Sequence, residues 1–166
     1  MAKVTLKGSE VNTVGELPGI GTSAPDFSLV DGELADRTLA DYKGKKKLLN
    51  IVPSLDTDVC AISTKKFNDA VKDREDLEVL VISADLPFAM GRFCGNEKLK
   101  SVTSLSMMRS KDFGNDYGVL ISDGPLAGVV TRAVVVLDED DKVVYTELVP
   151  EITQEPDYDK ALSMTQ

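Results

Sequence analysis

Two dense apolar runs fix the fold class of this chain. Leu48-Leu-Asn-Ile-Val52 stops at Pro53, and Leu77 to Ala84 follows after a stretch of helical pattern. Runs without polar alternation are typical of strands buried on both faces, which lie centrally in sheets covered on two sides. Between them, Ser54-Leu-Asp-Thr-Asp58 is rich in N-cap residues, and Val59, Ile62, Phe67 and Val71 recur at spacings compatible with an amphipathic helix. Strand, helix and strand then form a βαβ unit with parallel neighbours.

The remaining segments build outward from that unit. Val4-Thr-Leu6 and Glu10 to Thr13 flank Lys7-Gly8-Ser9 as an N-terminal hairpin. Phe27 to Val30 reads as a short strand, Leu39 to Tyr42 as one helical turn, and Lys45-Lys46-Lys47 as a solvated strand entry. Leu86 to Phe93 is helical by pattern and carries Cys94 at its end, with Gly95 placed as the stop. Val102 to Leu105 predicts a third parallel strand. Ala133 to Leu137 and Val143 to Leu148 flank the acidic Asp138 to Asp141 as an antiparallel hairpin, and Glu155 to Asp159 precedes a short helix over Lys160 to Met164. With neither repeat nor linker, residues 1–166 read as a single three-layer α/β domain.

Composition narrows the chemistry. Asp and Glu number 28 against 19 Lys and Arg, a formal charge of −9, which disfavours nucleic acid and anionic lipid as partners. There is no histidine, so triads, imidazole metal sites and His-based proton transfer are excluded. Two cysteines are too few for a disulfide scaffold or a four-thiolate zinc site, and neither a metal nor a cofactor is expected. The opening residues lack the apolar core of a signal peptide, and no stretch approaches a membrane span; the expected location is cytoplasmic, where two cysteines are reactive or free.

Cys60 falls in or near the first turn of the predicted helix, the way thioredoxin-like folds present a thiol. A disulfide oxidoreductase would carry Cys three residues earlier; here Thr57 stands there, a hydroxyl that can donate to a thiolate or to an oxygen beside it. An ordinary thiol, with a pKa of ~8.5, is only about 3% thiolate at neutral pH, and lowering that pKa to about 6 takes roughly 3 kcal/mol. A helix N-terminus supplies at most ~2 kcal/mol, and Asp56 and Asp58 oppose it. A cation is required, and without histidine it is Lys or Arg. Arg132 opens the predicted buried strand ending at Leu137, so it can turn its guanidinium into a site at the sheet's end and hold a thiolate there. Read from residues alone, Cys60 as a structural core thiol, Cys94 as an inert helix-end thiol and Arg132 as a strand-edge ion pair all remain open.

Pro53-x-x-x-Thr57-x-x-Cys60 resembles the peroxiredoxin active-site signature, and Val52 to Cys60 as a whole is similar to the thiol peroxidase branch, the bacterial atypical two-cysteine enzymes. Asp85-Leu-Pro-Phe-Ala89 with Arg92-Phe-Cys94, Gly124-Pro-Leu126 with Thr131 to Val136, and Glu155-Pro-Asp-Tyr158 agree with it. The chain departs at Asp58, where Gly is usual, at Ser106-Met-Met108, where an aromatic is expected, and in a C-terminal helix that stops early. The resemblance implies a thioredoxin-like α/β/α fold with a central mixed sheet and an N-terminal β-hairpin. It further implies Cys60 as peroxidatic thiolate, Cys94 as resolving thiol, an intramolecular disulfide between them, assistance from Thr57 and Arg132, and shielding by Pro53. A hydroperoxide substrate, thioredoxin as reductant and a homodimer belong to the same implication. Leu55, Val59 and Met107 would line the pocket if they face it. Two rivals stand beside this reading: a thiol–disulfide oxidoreductase, and a non-catalytic binding protein that kept the fold.

Overall fold

The computed structural model describes residues 1–166. Its sheet contains seven strands, and a separate hairpin pairs β1 (Lys3–Leu6) with β2 (Ser9–Asn12). The large sheet comprises β3 (Leu29–Val30), β4 (Asp36–Arg37), β5 (Lys46–Ile51), β6 (Leu77–Ser83), β7 (Val102–Ser106), β8 (Ala133–Leu137) and β9 (Val143–Leu148). Their spatial order is β4-β3-β7-β6-β5-β8-β9, with β5, β6 and β7 mutually parallel and the remaining pairings antiparallel. The two apolar runs are therefore adjacent central strands.

Period-two alternation divides the core into two layers. Leu49, Ile51, Leu80, Ile82, Val135 and Leu137 face a layer closed by Phe27, Leu39 and α3 (Asp112–Asp116), whose Phe113 stacks on Tyr117 with ring centroids 4.4 Å apart. Leu48, Val79, Val81, Val134 and Val136 face the layer of α1 (Asp58–Val71), α2 (Pro87–Asn96) and α4 (Tyr158–Ser163). This is the thioredoxin-like α/β/α arrangement.

Four local expectations are corrected. The buried face of α1 is not Val59, Ile62, Phe67 and Val71 but Cys60, Ser63, Thr64, Phe67, Asn68 and Val71, while Ile62 is exposed. Asn50 explains this: it lies fully buried on β5, and its Nδ2 approaches Ser63 Oγ and Thr64 Oγ1 at 3.5 and 3.4 Å, so the strand demands a polar stripe from the helix above it. Gly95 does not stop α2. Lys98 takes the left-handed conformation, at φ 57°, and the Leu99 and Lys98 amides close back on the carbonyls of Cys94 and Gly95 in a Schellman motif. Lys47 is not solvated but wholly buried, its ammonium paired with Asp141 at the β8–β9 turn. Met107 packs in the Phe113 layer, on the opposite side of the sheet from Cys60.

Candidate active site

Strand β5 delivers the chain to the site. After Ile51, buried Pro53 ends the ladder because it has no amide to donate. The next residues form a turn: the Thr57 amide and Thr57 Oγ1 both donate to the Ser54 carbonyl, at 3.3 and 3.0 Å. Thr57 is the N-cap of α1, with extended backbone, but its hydroxyl is spent on Ser54 rather than on the helix amides. Cys60 follows as the third helical residue, fully buried among the apolar side chains between sheet and helices.

The backbone at Cys60 is held firmly. Ser63 Oγ and Thr64 Oγ1 donate to the Cys60 carbonyl at 3.0 and 2.9 Å, and both hydroxyls rest on Asn50. The first turn is thus tied to the central strand through a buried polar cluster.

Arg132 arrives from the neighbouring strand. Ala133 pairs with Ile51, so Arg132 lies level with Val52, at the sheet end where the Pro53–Cys60 segment begins. The side chain is 2% exposed; Nε donates to the Ile152 carbonyl at 2.8 Å, and Nη1 is buried without a hydrogen-bond partner. Buried donors are rarely left unpaired, so this nitrogen is available to an anion or an oxygen in the site. The guanidinium charge also reaches Glu155 and Tyr158. Glu155 is held below the usual carboxylate range chiefly by hydrogen bonds from Lys66 and Tyr158, while burial and the Glu155 bond push the Tyr158 hydroxyl upward. The Tyr158 ring packs edge-on against Phe67 of α1, with centroids 5.1 Å apart, and so links the Arg132 side of the site to the Cys60 helix.

Cys94 occupies the last turns of α2, half-buried, with its thiol raised above the ordinary value by burial. Both thiols are free. Pro53, Thr57 and Cys60 thus lie on one continuous segment from the end of β5 into α1, Arg132 meets the same sheet end, and Cys94 lies on α2. A groove of about 710 Å³ runs between Ser54, Leu55 and Asp85 on one wall and Phe88, Arg92 and Phe93 of α2 on the other.

Sequence reading did not single out Asn50, Ser54 or Asp85, whose hydrogen bonds shape the loop. The available signal was polar residues inside or directly after buried strands, where a partner is obligatory.

The redoxin family matches residues 20–162. A thiol peroxidase of Corynebacterium glutamicum is 50% identical over 163 residues, covering 98% of both chains. The chain belongs to the thiol peroxidases. A Mycobacterium bovis thiol peroxidase agrees to the same extent, 50% over 163 residues and 98% of each chain. The crystal structure of a peroxiredoxin-like protein from Aquifex aeolicus is similar at a TM-score of 0.92 and 41% identity, covering 99% of this chain and 96% of that one. The chain is accordingly a peroxiredoxin-type enzyme, and it carries a free, buried cysteine in the first turn of α1. No helix is long and apolar enough to cross a membrane.

Proposed function

We propose that residues 1–166 form one redoxin domain that reduces hydrogen peroxide and organic hydroperoxides through Cys60, with Cys94 as resolving thiol and thioredoxin as electron donor. The observation that carries this reading is Arg132 Nη1, buried and unpartnered at the sheet end where Pro53, Thr57 and Cys60 converge.

The Cys60 thiolate attacks one peroxide oxygen; the O–O bond breaks, a sulfenic acid forms, and the other oxygen leaves as water or alcohol once protonated. The α1 N-terminus and the Arg132 guanidinium stabilise the negative charge as it moves from sulfur to the departing oxygen. Thr57 Oγ1, now donating to Ser54, is placed beside the entry to that turn. Cys94 then attacks the sulfenic sulfur, releasing water and forming the Cys60–Cys94 disulfide, and a reduced dithiol restores both thiols while becoming a disulfide itself. Since Cys60 is wholly buried and tied to Asn50 through Ser63 and Thr64, that second step requires its turn to open. We further propose a cytoplasmic homodimer.

The test is stopped-flow oxidation with mass analysis. Cys60→Ser abolishes turnover; Cys94→Ser keeps one fast oxidation, stalls as sulfenic acid and climbs to sulfinic acid under excess peroxide. Equal initial thiol loss in the two variants would sink the assignment. A covalent dimer on a non-reducing gel after one equivalent of peroxide would refute the intramolecular bridge. Insulin reduction without peroxide would favour the disulfide-oxidoreductase reading instead.

A further inference from the structure

Three hydrogen bonds within the turn before Cys60 converge on Ser54. Its carbonyl accepts from the Thr57 amide and Thr57 Oγ1, and its Oγ accepts from the Asp56 amide at 3.1 Å. Ser54 is in turn held by one carboxylate outside the turn. Asp85 accepts from Ser54 Oγ on Oδ1 and from the Leu55 amide on Oδ2, both at 2.7 Å. Ser83 Oγ donates to the same Oδ2 at 2.7 Å and accepts from the Asp85 amide at 3.1 Å, fixing the carboxylate to the end of β6. The Asp85 carbonyl is itself clasped by Ser106 Oγ of β7. Two residues later α2 begins, the helix that carries Cys94. Asp85 therefore stands at the junction of both cysteine-bearing segments, on the wall of the groove between them.

We propose that Asp85 is a positioning residue: it holds the Ser54–Thr57 turn, and through it Cys60, in the arrangement that meets peroxide, and its release lets Cys60 leave for Cys94. The proposal rests on the assignment of Cys60 and Cys94 above. All three side-chain partners of Asp85 are neutral donors, so its task is to accept hydrogen bonds rather than to carry charge. Asn can do most of this, its oxygen accepting from Leu55 and Ser83 and its amide donating to Ser54 Oγ; Ala cannot. A freed turn attacks peroxide poorly because the reacting atoms are no longer pre-aligned, but it reaches the open arrangement more readily. The peroxide step then slows while the disulfide step does not, a split that a general loss of both steps would not produce.

The experiment follows both steps in the full-length protein, using hydrogen peroxide, dimedone trapping of sulfenic acid and mass detection of the disulfide. Asp85→Ala is expected to slow Cys60 oxidation roughly tenfold or more while disulfide formation stays equal or accelerates. Asp85→Asn stays within about threefold of the parent on both steps, the size of change that about 0.7 kcal/mol of misalignment brings. Ser54→Ala, which removes the Oδ1 arm together with the acceptor of the Asp56 amide and keeps the Leu55 and Ser83 bonds to Oδ2, shifts both steps in the same directions as Asp85→Ala does, and serves where that variant folds poorly. Asp123→Ala, which deletes two hydrogen bonds to Asn12 beside the N-terminal hairpin, leaves both rates unchanged. Oxidation within about threefold of the parent in Asp85→Ala, both steps slowed together, or Asn as damaging as Ala would each overturn the role. If the parent protein does not oxidise at Cys60 at all, the assignment of the nucleophile falls first and takes the proposal with it.

Discussion

At the scale of single residues, Arg132 and Thr57 have the sharpest expectations. Arg132 keeps its Nε on the Ile152 carbonyl and leaves Nη1 free, so the guanidinium is anchored by one nitrogen and can work with another. Arg132→Met preserves much of the volume and removes every donor; the peroxide step should slow roughly 10²-fold, about 2.7 kcal/mol, as for one preorganised charge-stabilising donor. Stopped-flow oxidation within about threefold of the parent would mean another cation does the work. Thr57→Val should cost a similar order and Thr57→Ser little, because the serine hydroxyl can keep the bond to Ser54. A Thr57→Ser variant as slow as Thr57→Val would show that the hydroxyl alone does not account for the role of Thr57.

At the scale of elements, α1 and α2 differ in how readily they open, and α2 opens the more easily to meet the Cys60 turn. The 14-residue α1 buries six residues, and its first turn is tied to Asn50. The 10-residue α2 buries only Pro87 and Met90, exposes Phe88 and contains Gly91 and Gly95. Each interior glycine costs a helix about 1 kcal/mol relative to alanine, and fewer buried contacts make local opening easier. Amide exchange in the reduced protein should therefore be faster across 85–95 than across 61–71, read by mass spectrometry of overlapping peptides. Equal protection in the two segments would contradict a mobile α2. Apolar spacing found α1 but misjudged its face, because a buried Asn50 on the strand beneath cannot be inferred from the helix itself. The end of α2 was misplaced for a related reason: a Schellman closure usually selects glycine, yet here Lys98 accepts the left-handed backbone.

At the scale of the whole molecule, one carboxylate fastens the N-terminal hairpin to the body. Glu151 accepts from the amides of Thr153 and Gly8, both at 2.9 Å, and from Thr5 Oγ1 at 3.0 Å and Thr153 Oγ1 at 2.8 Å. These bonds, led by the Thr153 and Gly8 amides, hold its pKa down at about 2, against 4.5 for the free side chain. A folded-state pKa lowered in this way contributes stability that is present above about pH 4.5 and is lost as pH falls through about 2. With no histidine to titrate above that window, acid should first be felt there. Urea unfolding of the parent and Glu151→Gln should differ most at pH 5 to 6 and converge toward about pH 2. A difference that stays constant over this range would show that protonation of Glu151 is not linked to folding. The neighbouring Ile152 joins the hairpin at Thr5 through its amide and receives Arg132 Nε on its carbonyl, so the same strap that holds the hairpin also holds Arg132 at its end of the sheet.

By itself the sequence determined the two central strands, the third parallel strand, both hairpins and the turn that presents Cys60, because burial on both faces, strand alternation, N-cap residues and Pro53 act locally and leave a local record, whereas the two-residue edge strand Asp36–Arg37 left none. It also bounded the chemistry: without histidine, a reactive thiol needs a Lys or Arg, and Arg132, opening a buried strand, is the candidate the sequence offers. Tertiary structure alone decided which polar groups share a buried space. Asn50 with Ser63 and Thr64, Lys47 with Asp141, Met107 on the far face, and Asp85 beneath Ser54 are all set by which segments the fold packs together. Hydrogen-bond satisfaction between segments distant in the chain has no period and no spacing, so these partners emerge only once the sheet is assembled.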